Sequence, residues 1–164
     1  MIEGRAVLIP GDDVDTDVMY PGAYLNIGDP EQMKQYLFEG YDPSLRKELE
    51  AGDAVIVVGE NFGIGSSREH PPLAMKAWGV RFVLGKSFAR IFHRNCINLG
   101  LPIVACREAA AAVSHGSRVG FDPDSGEVEV DGRRFQGEPM QPLVRELAEA
   151  GGLVPWVRER EGVR

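Results

Sequence analysis

Ala54-Val-Ile-Val-Val58 carries five apolar residues in a row with no polar interruption. A strand with one wet face would alternate, so this run suits a strand covered on both faces, as in a parallel sheet flanked by other layers. The continuation narrows the choice further. Gly59-Glu-Asn-Phe-Gly-Ile-Gly-Ser-Ser-Arg-Glu-His70 puts three glycines into the turn that leaves the strand. Two hydroxyls, a guanidinium and a carboxylate follow, where a helix should begin. That helix fits Glu69 to Trp78, with Pro71 and Pro72 tolerable only in its first turn and Gly79 as its stop.

The remaining chain repeats this alternation. Gly4 to Ile9 reads as a strand stopped by Pro10-Gly11, and 31–38 and 43–50 read as short helices, the second opened by Asp42-Pro43. Strands are expected at 80–84 and 101–105, with helices from Phe88 to Leu99, closed by Gly100, and from Glu108 to Ser114. Strands separated by helices imply parallel pairing with right-handed crossovers. The pattern then changes to 118–121, 127–130 and 133–135, short runs joined by Asp122-Pro-Asp-Ser-Gly126 and Asp131-Gly132, which read as antiparallel strands. A last helix covers 142–150 and ends at Gly151-Gly152. The expected fold class is α/β, with a parallel βαβαβ core and additional antiparallel strands. With no repeat or linker, residues 1–164 are expected to form a single domain.

Eighteen basic against 25 acidic residues leave a net charge of −7 with no basic run, which argues against nucleic acid as a partner. An acidic substrate would be repelled at long range, so any anion site must be locally basic. The N-terminus lacks the layout of a signal peptide, and no apolar run approaches the roughly 18 residues of a membrane span. A cytoplasmic protein with no membrane partner is expected. Cys96 and Cys106, without C-x-x-C spacing, suit buried free thiols in a reducing compartment. Two cysteines cannot hold a conventional iron–sulfur cluster, which needs about four thiolates or a mix with histidines. His70, His93 and His115 lack a second histidine at ligand spacing, so no metal site is expected in this chain.

Two segments carry candidate chemistry. The glycine loop is not a phosphate-binding P-loop, a dinucleotide fingerprint or a nucleophile elbow, because the residues each requires are absent. Bare backbone amides at a helix start attract negative charge, Arg68 can hold a carboxylate through two parallel hydrogen bonds, and a nearby cation would help a serine act as a general base. The plainer alternative is a doubly capped helix with a surface pair between Arg68 and Glu69. The second segment, Gly11-Asp-Asp-Val-Asp-Thr-Asp-Val18, lacks the glycine and terminal glutamate of a calcium loop and reads as an Asx-rich turn. One of its carboxylates could orient a catalytic group.

Taken together, Asp15-Thr-Asp17, Pro21-Gly-Ala-Tyr-Leu25, the Gly59–His70 loop, Ser87-Phe-Ala-Arg-Ile-Phe-His-Arg-Asn95 and Asn98-x-Gly-Leu-Pro102 resemble the aconitase superfamily. Within it the chain is similar to the separate small subunits of the isopropylmalate isomerase and homoaconitase group, whose swivelling domain is its own polypeptide. The resemblance implies a three-layer β/β/α swivelling domain and a hydro-lyase that dehydrates a hydroxy di- or tricarboxylate and rehydrates it at the neighbouring carbon. It implies a [4Fe-4S] cluster carried by a large partner subunit, in a heterodimer or heterotetramer, and activity only in that complex. By family position Ser66 is the base that removes the carbon-bound proton, Arg68 binds a substrate carboxylate with help from Ser67, and Asp17 orients partners. Tyr24-Leu-Asn-Ile27 falls in the family's specificity loop. Asn26 and Ile27 suit an uncharged isopropyl group, where relatives acting on homoaconitate often carry an arginine, so isopropylmalate is the expected substrate. Homoaconitate, citraconate and dimethylmalate remain alternatives, as does a non-catalytic anion-binding regulatory module.

Overall fold

A computed structural model describes residues 1–162. Seven strands form one sheet in the order β4-β3-β2-β1-β5-β6-β7: β1 (Ile2–Ile9), β2 (Ala54–Val58), β3 (Phe82–Gly85), β4 (Ile103–Ala105), β5 (Arg118–Phe121), β6 (Glu127–Val130) and β7 (Arg133–Gln136). β1 to β4 pair in parallel and β5 to β7 add antiparallel strands on the other side of β1. The helices are α1 (Thr16–Met19), α2 (Pro30–Met33), α3 (Leu45–Glu48), α4 (His70–Ala77), α5 (Arg90–Leu99), α6 (Arg107–Ala112), α7 (Pro142–Ala150) and α8 (Leu153–Glu161).

All five residues of β2 are buried, as its unbroken apolar run requires. Ile56 and Val58 face one cluster, with Val7, Ile9 and Val83 and with Met19, Leu37, Phe38, Met75 and Phe92 of the helical segments. Val55 and Val57 face another, with Ala6, Phe82 and Leu84, and their cover includes Val119, Phe121, Val128 and Val130 from the antiparallel strands. The Phe82 and Phe121 rings lie 5.8 Å apart. Their strands stand three steps apart in the ladder, roughly 14 Å along a flat sheet at about 4.8 Å per step. The sheet therefore curls until its antiparallel half lies over its parallel half, giving layers of β, β and α around two apolar interfaces.

Several elements differ from the sequence expectation. The stretch 31–38 breaks after α2 into a 3₁₀ turn, Lys34–Tyr36, because Phe38 takes a positive φ of 64° and turns fully buried into the core. The segment expected at 43–50 is helical only over α3, since Asp42 ties back to both the amide and the hydroxyl of Ser44. The acidic loop ends in α1, capped by Asp15. Helix α8 lies beyond the last helix read from the sequence; its Pro155 occupies the first turn, where a missing N–H has no intrahelical partner to lose.

Lys76 joins the C-terminal hairpin to the body of the fold. Its ammonium donates to the carbonyl of Leu99 at 2.6 Å and to that of Gly151 at 3.0 Å, and burial holds its pKa below the usual lysine value. Lys76→Met is expected to leave two carbonyls short of a charged donor, costing about 2 kcal/mol and lowering Tm by about 5 °C in thermal unfolding. An unchanged Tm would mean that the clamp contributes nothing. Among the described residues no helix is long and apolar enough to cross a membrane.

Candidate active site

The site follows from one register. β1 and β2 are adjacent and parallel with Ile9 opposite Val58, so the chain leaves both strands at the same end and the two following loops run side by side. An isolated parallel bridge between Asp15 and Ile64 continues the pairing, with Thr16 N–H donating to the Ile64 carbonyl at 2.8 Å and Gly63 N–H to that of Val14 at 2.9 Å. Residues some fifty positions apart are brought together in this way. Gly65 permits a close approach: it has φ of 101°, and a Cβ there would lie 2.6 Å from an Asp15 carboxylate oxygen. Asp15 in turn accepts from the Asp17 amide at 2.6 Å and starts α1.

Ser66, Asp17 and Arg68 meet at this corner. The Ser66 hydroxyl lies 3.4 Å from Asp17 Oδ1 and 3.4 Å from Thr16 Oγ1. Thr16 donates its own proton to the Ser66 carbonyl at 3.1 Å, so both neighbours of the Ser66 hydroxyl are acceptors for its single proton. These contacts are longer than the roughly 2.7–2.8 Å of a tight O–H···O bond. Arg68 donates through Nη1 to the Tyr20 carbonyl at 2.7 Å and sets Nη2 2.9 Å from Asp17 Oδ1. Its side chain is 16% exposed against 56% for Asp17, so the guanidinium is held from behind while the carboxylate faces solvent. Two of its five N–H donors are engaged here, leaving capacity for an incoming carboxylate.

Asn95 of α5 braces the same loop, its side-chain amide donating to the carbonyls of Ser67 at 3.1 Å and Arg68 at 3.4 Å. Ser66 and Ser67 are exposed. The loop and its neighbours, with Leu25, Glu69, His70 and Leu73, line a concavity of about 490 Å³. One part of the sequence reading needs correction. Helix α4 begins at His70 and has prolines at its first-turn positions 71 and 72, which bring no N–H. The amides of that helix end contribute little, and the local positive charge is that of Arg68.

The four residues of the 24–27 segment divide. The Tyr24 ring stacks on Tyr36 at 4.0 Å, and Tyr24 and Ile27 pack against the core. Asn26 is exposed, and Leu25 alone of the four lines the concavity. Sequence reasoning gave no role to Thr16 or Leu25, although both stand inside quoted motifs; what was missing was the pairing of β1 with β2 and of His70 with Leu25. Among the described residues no group of three or more His, Cys, Asp or Glu is placed to hold a metal ion. Cys96 and Cys106 are buried in different core clusters, and burial pushes the Cys96 thiol well above its usual pKa. These thiols do not fit as ligands of an iron–sulfur cluster.

A mixed sheet curled into β/β/α layers, with a serine, an aspartate and an arginine on the loops beyond β1 and β2, defines a domain of the aconitase type. Residues 31–108 match the family described as the aconitase C-terminal domain. The chain is 43% identical, over 97% of its length and 99% of the relative's, to the 3-isopropylmalate dehydratase small subunit of Caldanaerobacter subterraneus subsp. tengcongensis. It is 45% identical, over 92% of its length and 93% of the relative's, to the 2,3-dimethylmalate dehydratase small subunit of Eubacterium barkeri. The crystal structure of 3-isopropylmalate dehydratase from Methanocaldococcus jannaschii superposes with a TM-score of 0.88 at 40% identity, covering 98% of this chain and 95% of that one. The chain belongs to the family of 3-isopropylmalate dehydratase small subunits.

Proposed function

We propose that this chain is the small subunit of an aconitase-type hydro-lyase that converts 2-isopropylmalate to 3-isopropylmalate by dehydration and rehydration, a step of leucine biosynthesis. Residues 1–164 act as one swivelling domain in the cytoplasm, in a complex with a large subunit that carries the [4Fe-4S] cluster. The observation that carries this reading is the meeting of Ser66 Oγ and Arg68 Nη2 at one oxygen of Asp17 on an exposed corner. Such a corner cannot exclude water by itself, which supports a partner surface that closes over it.

Arg68 takes a substrate carboxylate on its free donors, with the Ser67 hydroxyl adding a hydrogen bond. The substrate's carbon-bound proton then faces Ser66. Removing it builds negative charge toward the adjoining carboxylate, which the guanidinium stabilises more strongly than in the ground state. Asp17 holds Arg68 in place and gives the Ser66 proton a direction in which to leave. The cluster, when present on the partner, supplies a Lewis acid for loss of the hydroxyl.

A second reading, dehydration of 2,3-dimethylmalate, is favoured by the 45% identity to a small subunit named for that substrate. The test is the complex reconstituted anaerobically with its large subunit and assayed on 2-isopropylmalate, 2,3-dimethylmalate, homoaconitate and citraconate. The expected result is the highest kcat/KM on 2-isopropylmalate, and a higher value on any of the others would replace the substrate assignment. Asn26→Arg is expected to raise the homoaconitate-to-isopropylmalate ratio.

A further inference from the structure

Leu25 is 39% exposed and lines the same concavity as Ser66, Ser67 and Arg68, with Leu73 as the other aliphatic side chain in its wall. An exposed leucine on a loop is ordinary. This one is fixed in place. His70 Nε2 lies 3.1 Å from the Leu25 carbonyl, an atom that can only accept, so Nε2 carries the proton. Its other nitrogen, Nδ1, is buried without a partner among the described residues. The ring gives up the hydration of Nδ1 and retains a single polar contact, the one that holds the main chain of Leu25.

His70 is itself held by Tyr20, whose ring stacks on it with centroids 4.9 Å apart. Tyr20 reaches both halves of the concavity: its carbonyl accepts from Arg68, and its hydroxyl donates to the Tyr24 carbonyl at 2.8 Å. One stacked aromatic pair thus sets the spacing between a guanidinium and an aliphatic wall. A ligand that fills both carries a carboxylate and, a few bonds away, a branched alkyl group.

We propose that Leu25 is a specificity-determining residue that contacts the alkyl branch of the substrate, and that His70 is a positioning residue that holds Leu25 at the required distance from Arg68; this rests on the function proposed above. The discriminating pair of substrates is 2-isopropylmalate and 2-methylmalate, which differ by two methyl groups on the same dicarboxylate. The wild-type complex must turn over 2-isopropylmalate; if it does not, the underlying reading fails before any variant is made.

Given that turnover, Leu25→Ala is expected to lower the isopropyl-to-methyl ratio of kcat/KM by about tenfold or more, since the lost contact serves only the larger group. His70→Phe keeps a ring against Tyr20 and removes the hydrogen bond; it should lower the same ratio, and His70→Gln, which restores a donor, should recover part of it. Equal losses on both substrates would overturn the proposal, because a role confined to the fold does not distinguish them. An unchanged ratio with a higher concentration of large subunit needed for half-maximal activity would also overturn it, by assigning Leu25 to the subunit contact.

Discussion

Ser66→Ala is expected to lower kcat of the reconstituted complex by about 10³-fold, within the range that a positioned acid–base group contributes, while substrate binding changes little. The prediction is sharp because the substitution disturbs little else. Ser66 is exposed, so no packed cavity opens. The bond from Thr16 goes to the main-chain carbonyl of residue 66 and survives. The Asp17–Arg68 pair does not pass through the hydroxyl. What disappears is one oxygen whose proton faces two acceptors. Ser67→Ala serves as the comparison and should cost far less in kcat, since that hydroxyl is assigned only a hydrogen bond to bound substrate. Measurement of kcat and of equilibrium binding separates the two roles. If Ser66→Ala keeps activity within about tenfold of wild type, the base is another group.

In the mechanism proposed above, the Asp17 carboxylate is what would let a serine serve as the base. Alone beside Ser66 it would oppose an alkoxide, as like charges do. Arg68 sits on the same oxygen, so the pair presents a largely neutralised acceptor in place of a free anion. In the proposed mechanism an incoming carboxylate would compete for that guanidinium, and the free donors of Arg68 would allow the pair to persist. The chain as a whole carries −7 and Asp17 offsets the charge of Arg68, so the unengaged N–H donors of the guanidinium, more than net charge, are what the proposed mechanism offers an acidic substrate.

The parallel half of the fold was legible because its signals are local. The apolar run of β2, the αL glycine at position 100 that ends α5, and the tight turns at Gly126 and Gly132 each act within a few residues. The curl of the sheet was not legible, since it depends on Phe82 meeting Phe121 across 39 positions of sequence. Phe38 shows the same limit. Its segment has a helical pattern, yet burial of the ring wins over helix continuation and the backbone accepts a positive φ. At the corner, residue type and resemblance nominate Ser66, Arg68 and Asp17 as candidates, and the structure adds that the three side chains meet. Thr16 and Leu25 required the register of β1 on β2 and the reach of His70. The weak helix end at α4 was written in Pro71-Pro72 all along, and only the observed start of the helix showed which amides they remove.

Gly63→Ala is expected to be among the most destabilising single-methyl changes available in this chain. Gly63 has φ of 93°, where an L side chain is strained by about 1 kcal/mol or more. A Cβ there would also lie 2.3 Å from Phe92 Cγ and 2.4 Å from its Cβ. The ring tip could rotate away from such a contact, but Cβ is fixed to helix α5. Phe92 is 1% exposed and packs edge-on against Phe62 at 5.2 Å, so the helix has nowhere to retreat. Overpacking of this kind costs a further 1–3 kcal/mol, and the sum should lower Tm by about 5–15 °C in a chain of this size. Gly116→Ala is the control: φ there is 86°, with nothing within 4 Å of the added carbon, so it carries the strain without the collision. The loop that Gly63 lets pass also carries Ser66, and the Gly63 amide bonds to Val14 just ahead of the Asp15 cap. The variant should therefore lose activity in the complex at temperatures well below its own unfolding. Equal melting shifts for the two variants would show that the approach to Phe92 is not what fixes the loop, and the corner that carries Ser66 would need another source of rigidity.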